Sequence, residues 1–192
     1  MKEQCKAQQM LKSMRAGKIY RQFELQAKWP NASHDLATLV KEGHVEKVSS
    51  GLYYKPSRTK YGSVAPKDEE LVRSFLQDDD FLLVDVNSYT SLIGGLTQLS
   101  MGYKVLNKRR HGSFNLAGFH FDFRVRRAYP KKVTKEFLLV DLLDNIKEVE
   151  DGTPIQEKLA PRLKEYDPNL LLKTASLYGN RSTEKLLERA LN

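Results

Sequence analysis

A change of period at Gly43 leaves the first sixty residues of this chain few ways to fold. Before that glycine the apolar residues recur at helical spacing, and after it they alternate. Residues 4–14 place Ala7, Met10, Leu11 and Met14 three and four apart, on one helix face, and Gly17 ends the run. A shorter helix fits 21–27, with Phe23 and Ala27 inward and Ile19 and Tyr20 leading into it. Trp29-Pro30 then punctuates, because proline pushes its predecessor into extended backbone. Asn31 is a good N-cap for a third helix, in which Ala32, Leu36, Leu39 and Val40 form one stripe. Gly43 stands at the left-handed position that ends many helices. Val45 and Val48 fall in a short strand, 49–51 make the turn, and 52–55 return before Pro56.

Three helices followed by a β-hairpin are the order of a winged helix-turn-helix. Its last helix enters the major groove, and the hairpin lies against the backbone. With the apolar stripe turned inward, Ser33, His34, Ala37, Thr38 and Lys41 face outward. Ser33, His34 and Thr38 can hydrogen-bond base edges, while Lys41, at the helix end, suits a phosphate. Lys28, Lys47, Ser49, Ser50, Lys55 and Arg58 flank this face and can position a duplex without reading it. Charge agrees with a polyanionic partner: the net is +7 over 1–66, −4 over 67–80, +7 over 81–136 and −2 over 137–192.

A connector with two prolines and a glycine occupies 56–66, so the reading is residues 1–65 as the winged helix with its linker and 66–192 as a second domain. Asp68, Glu69 and Glu70 open a helix there, complementing its dipole. Residues 81–86 read as a buried strand, and Ser88 can cap a helix running to Leu96 through Gly94-Gly95. Further strands fit 103–106, 113–116 and 119–127. In the last of these, Phe119, Phe121, Phe123 and Val125 alternate with His120, Asp122, Arg124 and Arg126. Thr134 caps an amphipathic helix reaching Ile146, Asp167-Pro168 starts another that Gly179 ends, and Ser182 caps the last. The expected fold is α+β throughout, the second domain being a small antiparallel or mixed sheet with helices.

The run LATLVKEGHVEKVSSGLYYKPSRTKYGSVAPKDEELVRSFL (36–76) resembles the AbiEi-like antitoxin family, most specifically in its hairpin and exit, SSGLYYKPSRTKYGSVAPKDEELV. The segments NSYTSLIGGLTQLSMGYKVLNKRRHGSF and DFRVRRAYPKKVTKEFLLVDLLDNI look like that family's effector region, and the likeness spans about 18–145. The entry to the third helix, Trp29-Pro30-Asn31, departs from the Ser-capped start of the family. The resemblance implies the antitoxin half of a type IV toxin–antitoxin pair. Its winged helix would repress the operon from operator DNA upstream, and its second domain would counter a nucleotidyltransferase-like toxin. It supports a DNA role for Ser33, His34, Thr38 and Lys41 and a wing role for Lys47 to Lys55.

Nothing in the motifs asks for a cofactor, a metal or a catalytic residue. His34, His44, His111 and His120 form no metal-binding pattern, Cys5 has no partner, and Gly94-Gly95 lacks the residues of a phosphate loop. A nucleic-acid-processing enzyme built on Asp122 is the alternative in that direction, and alternating charges on an exposed strand explain the same residues more simply. A plain DNA-binding regulator with a ligand-sensing or dimerising second domain is the other. Lys108, Arg109, Arg110, Arg124, Arg126 and Arg127 are read as a second nucleic-acid or partner surface. One cysteine, no apolar run of membrane-spanning length and a charged N-terminus point to a soluble cytoplasmic protein with no membrane partner.

Overall fold

The computed structural model describes residues 2–89, 92, 102–145 and 162–191. Over these the chain is mixed α+β, with seven α-helices and three sheets. It divides into two units, Met1–Asp79 with Ser113–Phe121, and Asp80–Gly112 with Asp122–Asn192. Ser88 lies in a 3-10 turn over Val86–Tyr89, Leu92 is helical, and the rest of the helix expected to run through Gly94-Gly95 to Leu96 lies outside the described residues, as does Ile146.

In the first unit, α1 (Lys2–Ser13), β1 (Lys18–Arg21), α2 (Gln22–Gln26) and α3 (Ala32–Lys41) precede β2 (Glu46–Ser49) and β3 (Leu52–Lys55). Ala7, Met10 and Met14 of the first helical segment are buried with Ala32, Leu36 and Leu39 of α3, joined by Leu25, Val45 and Tyr53. Each buried leucine contributes about 1.5–3 kcal/mol, enough for Leu36 and Leu39 to decide which face of α3 looks inward. Gly43, at φ +71°, closes α3: the Gly43 amide donates to the Val40 carbonyl at 3.0 Å and the His44 amide to that of Leu39 at 2.9 Å. These are the paired bonds of a Schellman motif. A β-carbon at this left-handed position costs about 1–2 kcal/mol. Gly43→Ala is therefore expected to lower the chemical-denaturation midpoint although nothing lies within 4 Å of the added carbon.

Ile19 and Tyr20 do lead into α2, and they do so as a strand, while the inward face expected of α2 needs correction. They lie in β1, which pairs antiparallel with β3, Ile19 opposite Tyr54 and Arg21 opposite Leu52, giving a three-stranded sheet in the order β1-β3-β2. Both residue types favour strands, and β3 offers them a free edge. In α2 the inward residue is Leu25; Phe23 is 58% exposed and Ala27 is exposed. Residues two apart sit about 200° apart around a helix, so once Leu25 takes the core position, 23 and 27 face away.

Residues 56–66 are more ordered than a connector. They hold an antiparallel hairpin of β4 (Ser57–Thr59) and β5 (Gly62–Val64), followed by α4 (Asp68–Leu76), which buries Leu71, Val72 and Leu76. The turn joining β8 (Gly112–Leu116) to β9 (Phe119–Val125) also belongs to this unit. Its Ala117 amide donates to the Val48 carbonyl at 3.0 Å, which occupies part of the otherwise open edge of β2.

The second unit is built on β6 (Phe81–Asp85), antiparallel to β7 (Tyr103–Asn107) with Leu83 opposite Val105. The hydrogen-bonded strand order of the third sheet is β6-β7-β9-β8. The alternation in β9 holds at its centre, where Phe121 and Phe123 are buried, whereas Phe119 and Val125 at its ends are exposed. Helix α5 (Lys135–Asp144) is capped as expected, Thr134 Oγ1 accepting from the Phe137 amide at 3.2 Å. It is not amphipathic in the folded chain, however. Every residue from Glu136 to Leu143 is buried. Phe137, Leu138 and Leu142 pack with Leu82, Val84 and Leu106, while Leu139, Val140 and Leu143 pack with Leu171, Ala175 and Leu187. A helix apolar on all sides is one that runs through a core.

Asp167 and Pro168 start α6 (Pro168–Tyr178) as expected, the carboxylate accepting from the Leu170 amide at 3.1 Å. Gly179 follows because a β-carbon there would lie 2.7 Å from the Ala175 carbonyl oxygen. The cap of α7 (Arg181–Leu191) is Asn180 and not Ser182: Asn180 Oδ1 accepts from the Thr183 amide at 2.8 Å. The helix begins one residue before Ser182, which therefore stands inside its first turn. Replacing Asn180 by Ala is expected to destabilise by about 1 kcal/mol, and Ser182→Ala by much less, in thermal melts.

Candidate nucleic-acid interface

The core stripe of α3 leaves Ser33, His34, Ala37 and Lys41 exposed and Thr38 half-buried. Their hydrogen-bonding states differ. The Ser33 hydroxyl accepts from Gln22 Nε2 at 2.9 Å and from Gln26 Nε2 at 3.0 Å, and Tyr53 Oη donates to Gln22 Oε1 at 3.3 Å. Thr38 Oγ1 donates to the His34 carbonyl at 3.2 Å, a local bond within α3. His34 Nδ1 lies 3.9 Å from the buried Asp35 carboxylate. The outward face of α3 is thus extended by two glutamines of α2, whose donors meet at Ser33. Sequence reasoning did not select Gln22 and Gln26, although their spacing of four on α2 was a sufficient signal.

Three basic residues of this unit serve its helix ends. Lys55 Nζ donates to the carbonyls of Leu11 and Met14, each at 2.8 Å, where α1 finishes. Arg58 Nη2 donates to the Gly43 carbonyl at 3.0 Å, just past α3. Arg21 donates to the carbonyls of Ser74 and, at 3.1 Å, Phe75, in the last turn of α4. Cations at these positions satisfy carbonyls that helix geometry leaves free and complement the dipole. Part of the positive charge read as a DNA footprint therefore has a job inside the fold. Lys28 and Lys47 are exposed, as is Ser50 in the β2–β3 turn, while Ser49 is half-buried. Lys55→Ala is expected to lower stability by about 1–2 kcal/mol, while the salt slope of any DNA binding stays unchanged.

The basic residues of the second unit do not act as one group. Lys108 Nζ pairs with Asp80 at 2.6 Å, and Tyr129 Oη donates to the same carboxylate at 3.0 Å. The Lys108 hydrogen bond first, and that of Tyr129 second, hold the Asp80 carboxyl below its ordinary range. Arg109, Arg110 and Arg127 are exposed. The amides of Arg109 and Arg110 both donate to Oδ1 of buried Asn107, at 2.9 and 2.6 Å, so the turn that carries them is fixed by one side chain. Arg124 Nε pairs with Asp122 at 2.7 Å.

Arg126 corrects the expectation most clearly, because it faces the interior. Its Nη1 lies 2.5 Å from Asp141 Oδ1 and its Nη2 2.6 Å from Asp144 Oδ2, and it also donates to the Tyr178 carbonyl. Asp141, only 1% exposed, further accepts from Lys104 Nζ at 2.9 Å and Tyr89 Oη at 2.5 Å. Burial alone would raise the Asp141 pKa, but Lys104, Tyr89 and Arg126 together outweigh it and hold the carboxyl below its ordinary range. Burial, reinforced by Asp141, pushes the Tyr89 hydroxyl well above the usual tyrosine value. A carboxylate in the middle of an apolar helix can be buried only with such partners, and that requirement turns Arg126 and Lys104 inward. The sequence signal was the single charge in FLLVDLL.

Among the described residues no group of three His, Cys, Asp or Glu side chains is placed to hold a metal ion, and no helix is long and apolar enough to cross a membrane. No protein-family model matches this chain, and comparison with curated proteins and with solved structures yields no match.

Proposed function

We propose that the first unit is a winged helix that binds double-stranded operator DNA, with α3 in the major groove and the β2–β3 hairpin along the backbone, and that the chain is a non-catalytic autorepressor and antitoxin acting in the cytoplasm. The observation that carries the DNA reading is the element order α1-β1-α2-α3-β2-β3 with a β1-β3-β2 sheet, which leaves one face of α3 outside the core. That face bears His34 and Lys41, and Gln22 and Gln26 stand beside it through Ser33. Imidazole and amide groups can exchange hydrogen bonds with base edges, and an ammonium at the helix end suits a phosphate. The antitoxin half rests on the quoted AbiEi-like motifs, and its partner is a nucleotidyltransferase-like toxin countered by the second unit.

A promoter fusion tests the first half. The DNA upstream of this chain's gene, placed before a reporter, should be silenced by the full chain and released by Lys41→Glu together with His34→Ala. A reporter indifferent to the wild-type chain would contradict autorepression. For the second half, co-expression with a nucleotidyltransferase-like protein encoded alongside should restore growth, including when the chain carries Asp122→Ala. Loss of protection in Asp122→Ala with the fold intact would instead favour the enzymatic alternative.

A further inference from the structure

Beyond α3 and the β2–β3 hairpin, we infer that the β4–β5 hairpin is a second DNA-contacting element, its Lys60–Tyr61 tip entering the minor groove next to the major groove that α3 fills. This inference rests on the DNA-binding reading of the first unit. Tyr61 is 87% exposed, the extreme among the large apolar side chains of the described residues, and Val64 on the same hairpin is exposed too. A tyrosine at a hairpin tip loses contact area that any folded chain would otherwise use, and aromatic side chains of this kind mark recognition surfaces.

The tip is held in shape before any ligand arrives. Thr59 Oγ1 accepts from the Tyr61 amide at 3.2 Å and donates to the Gly62 carbonyl at 3.1 Å, and Gly62 takes the φ of +121° that the turn needs. The base of the hairpin is tied to the same unit at two points. Arg58 donates to the Gly43 carbonyl where α3 ends, and buried Tyr54 Oη donates to the Val64 carbonyl at 2.8 Å. The hairpin therefore leaves from the C-terminal end of α3, on the side of Lys41.

Charge selects the partner. Residues 47–67 hold not one Asp or Glu, and although Lys55 and Arg58 are bonded within the fold, Lys47, Lys60 and Lys67 keep the stretch basic. Lys60 Nζ sits 4.8 Å from the centroid of the Tyr61 ring, so the cation and the ring are displayed together. A basic side chain beside an exposed ring fits a phosphate next to a sugar or base edge, and a basic segment beside a groove-filling helix can reach the adjoining minor groove. An acidic protein would answer the charge and the ring alike; what favours a duplex is that the base of the hairpin is bonded to the end of α3, the helix placed in the groove.

The test is fluorescence anisotropy of the full chain on a duplex of the DNA upstream of its gene, using wild type, Tyr61→Ala, Tyr61→Phe, Lys60→Ala and Lys41→Ala. Tyr61 is exposed, so none of its variants should change the melting curve. Tyr61→Ala is expected to weaken binding about tenfold, the size of one lost aromatic contact, and Tyr61→Phe to retain most of it. Lys60→Ala should flatten the salt slope by about one phosphate contact. Trimming the duplex on the side beyond the Lys41 end of α3 should erase the difference between wild type and Tyr61→Ala. If Tyr61→Ala binds within twofold of wild type while Lys41→Ala loses affinity, the hairpin inference is overturned and the α3 reading stands. If wild type binds no duplex, both are overturned.

Discussion

Asp141→Ala is expected to lower the stability of the second unit by about 3–5 kcal/mol, the cost of leaving buried charges without their partner. The substitution removes no large volume; its effect comes from Lys104 and Arg126, which lie within 2.9 Å of the carboxylate and are themselves largely shielded. Chemical denaturation followed by far-UV circular dichroism measures it. A companion experiment uses pH. The folded pKa of Asp141 lies below its unfolded value. Its contribution is therefore complete above the ordinary carboxylate range, near pH ~4, and is lost as the pH falls through the depressed folded value. Wild type should lose stability steeply on acidification below pH ~4, and Asp141→Ala, already without that contribution, should lose less over the same interval. Equal acid slopes in the two proteins would show that another carboxylate controls the transition.

The second large effect is on DNA. Because Ser33 and Thr38 already have hydrogen-bond partners within the fold and His34 is exposed, the three are not equivalent readers. His34→Ala is expected to relax base preference by about 1–3 kcal/mol at one position of the site. Lys41→Ala should weaken binding to all sequences alike and flatten the salt slope by about one unit. Ser33→Ala should act indirectly, by freeing Gln22 and Gln26, and should have no effect in a chain that already carries Gln22→Ala and Gln26→Ala. Competition binding against single-base variants of the upstream duplex separates these outcomes. Uniform loss from all of the variants would mean that α3 does not lie in the groove.

Much of this was legible in the sequence, and most of the parts that were not share a cause. Periodicity found α3, its buried stripe, the β2–β3 hairpin and the buried centre of β9, because each is fixed by which side chains leave water. Glycine and N-cap chemistry found Gly43, Thr134, Asp167 and Gly179, because those signals are local. Part of what escaped depends on partners distant in sequence, whereas the cap at Asn180 and the inward Leu25 were local signals read two residues out of place. Ile19 and Tyr20 form a strand only because β3, more than thirty residues on, pairs with them. Residues 57–64 read as a linker because neither β4 nor β5 buries a face of its own. In the candidate site, exposure on α3 was readable, but the destinations of Lys55, Arg58 and Arg126 were not. A cation drawn to a helix end or a buried carboxylate looks, in sequence, the same as one waiting for a phosphate.

The most direct measurement is the anisotropy of this chain with the duplex upstream of its own gene, beside a scrambled duplex of equal length, across a salt series. An autorepressing winged helix should bind the upstream duplex more tightly, with affinity for both duplexes falling steeply and in parallel with log salt. Equal affinity for the two duplexes, or no binding to either at low salt, would contradict that reading.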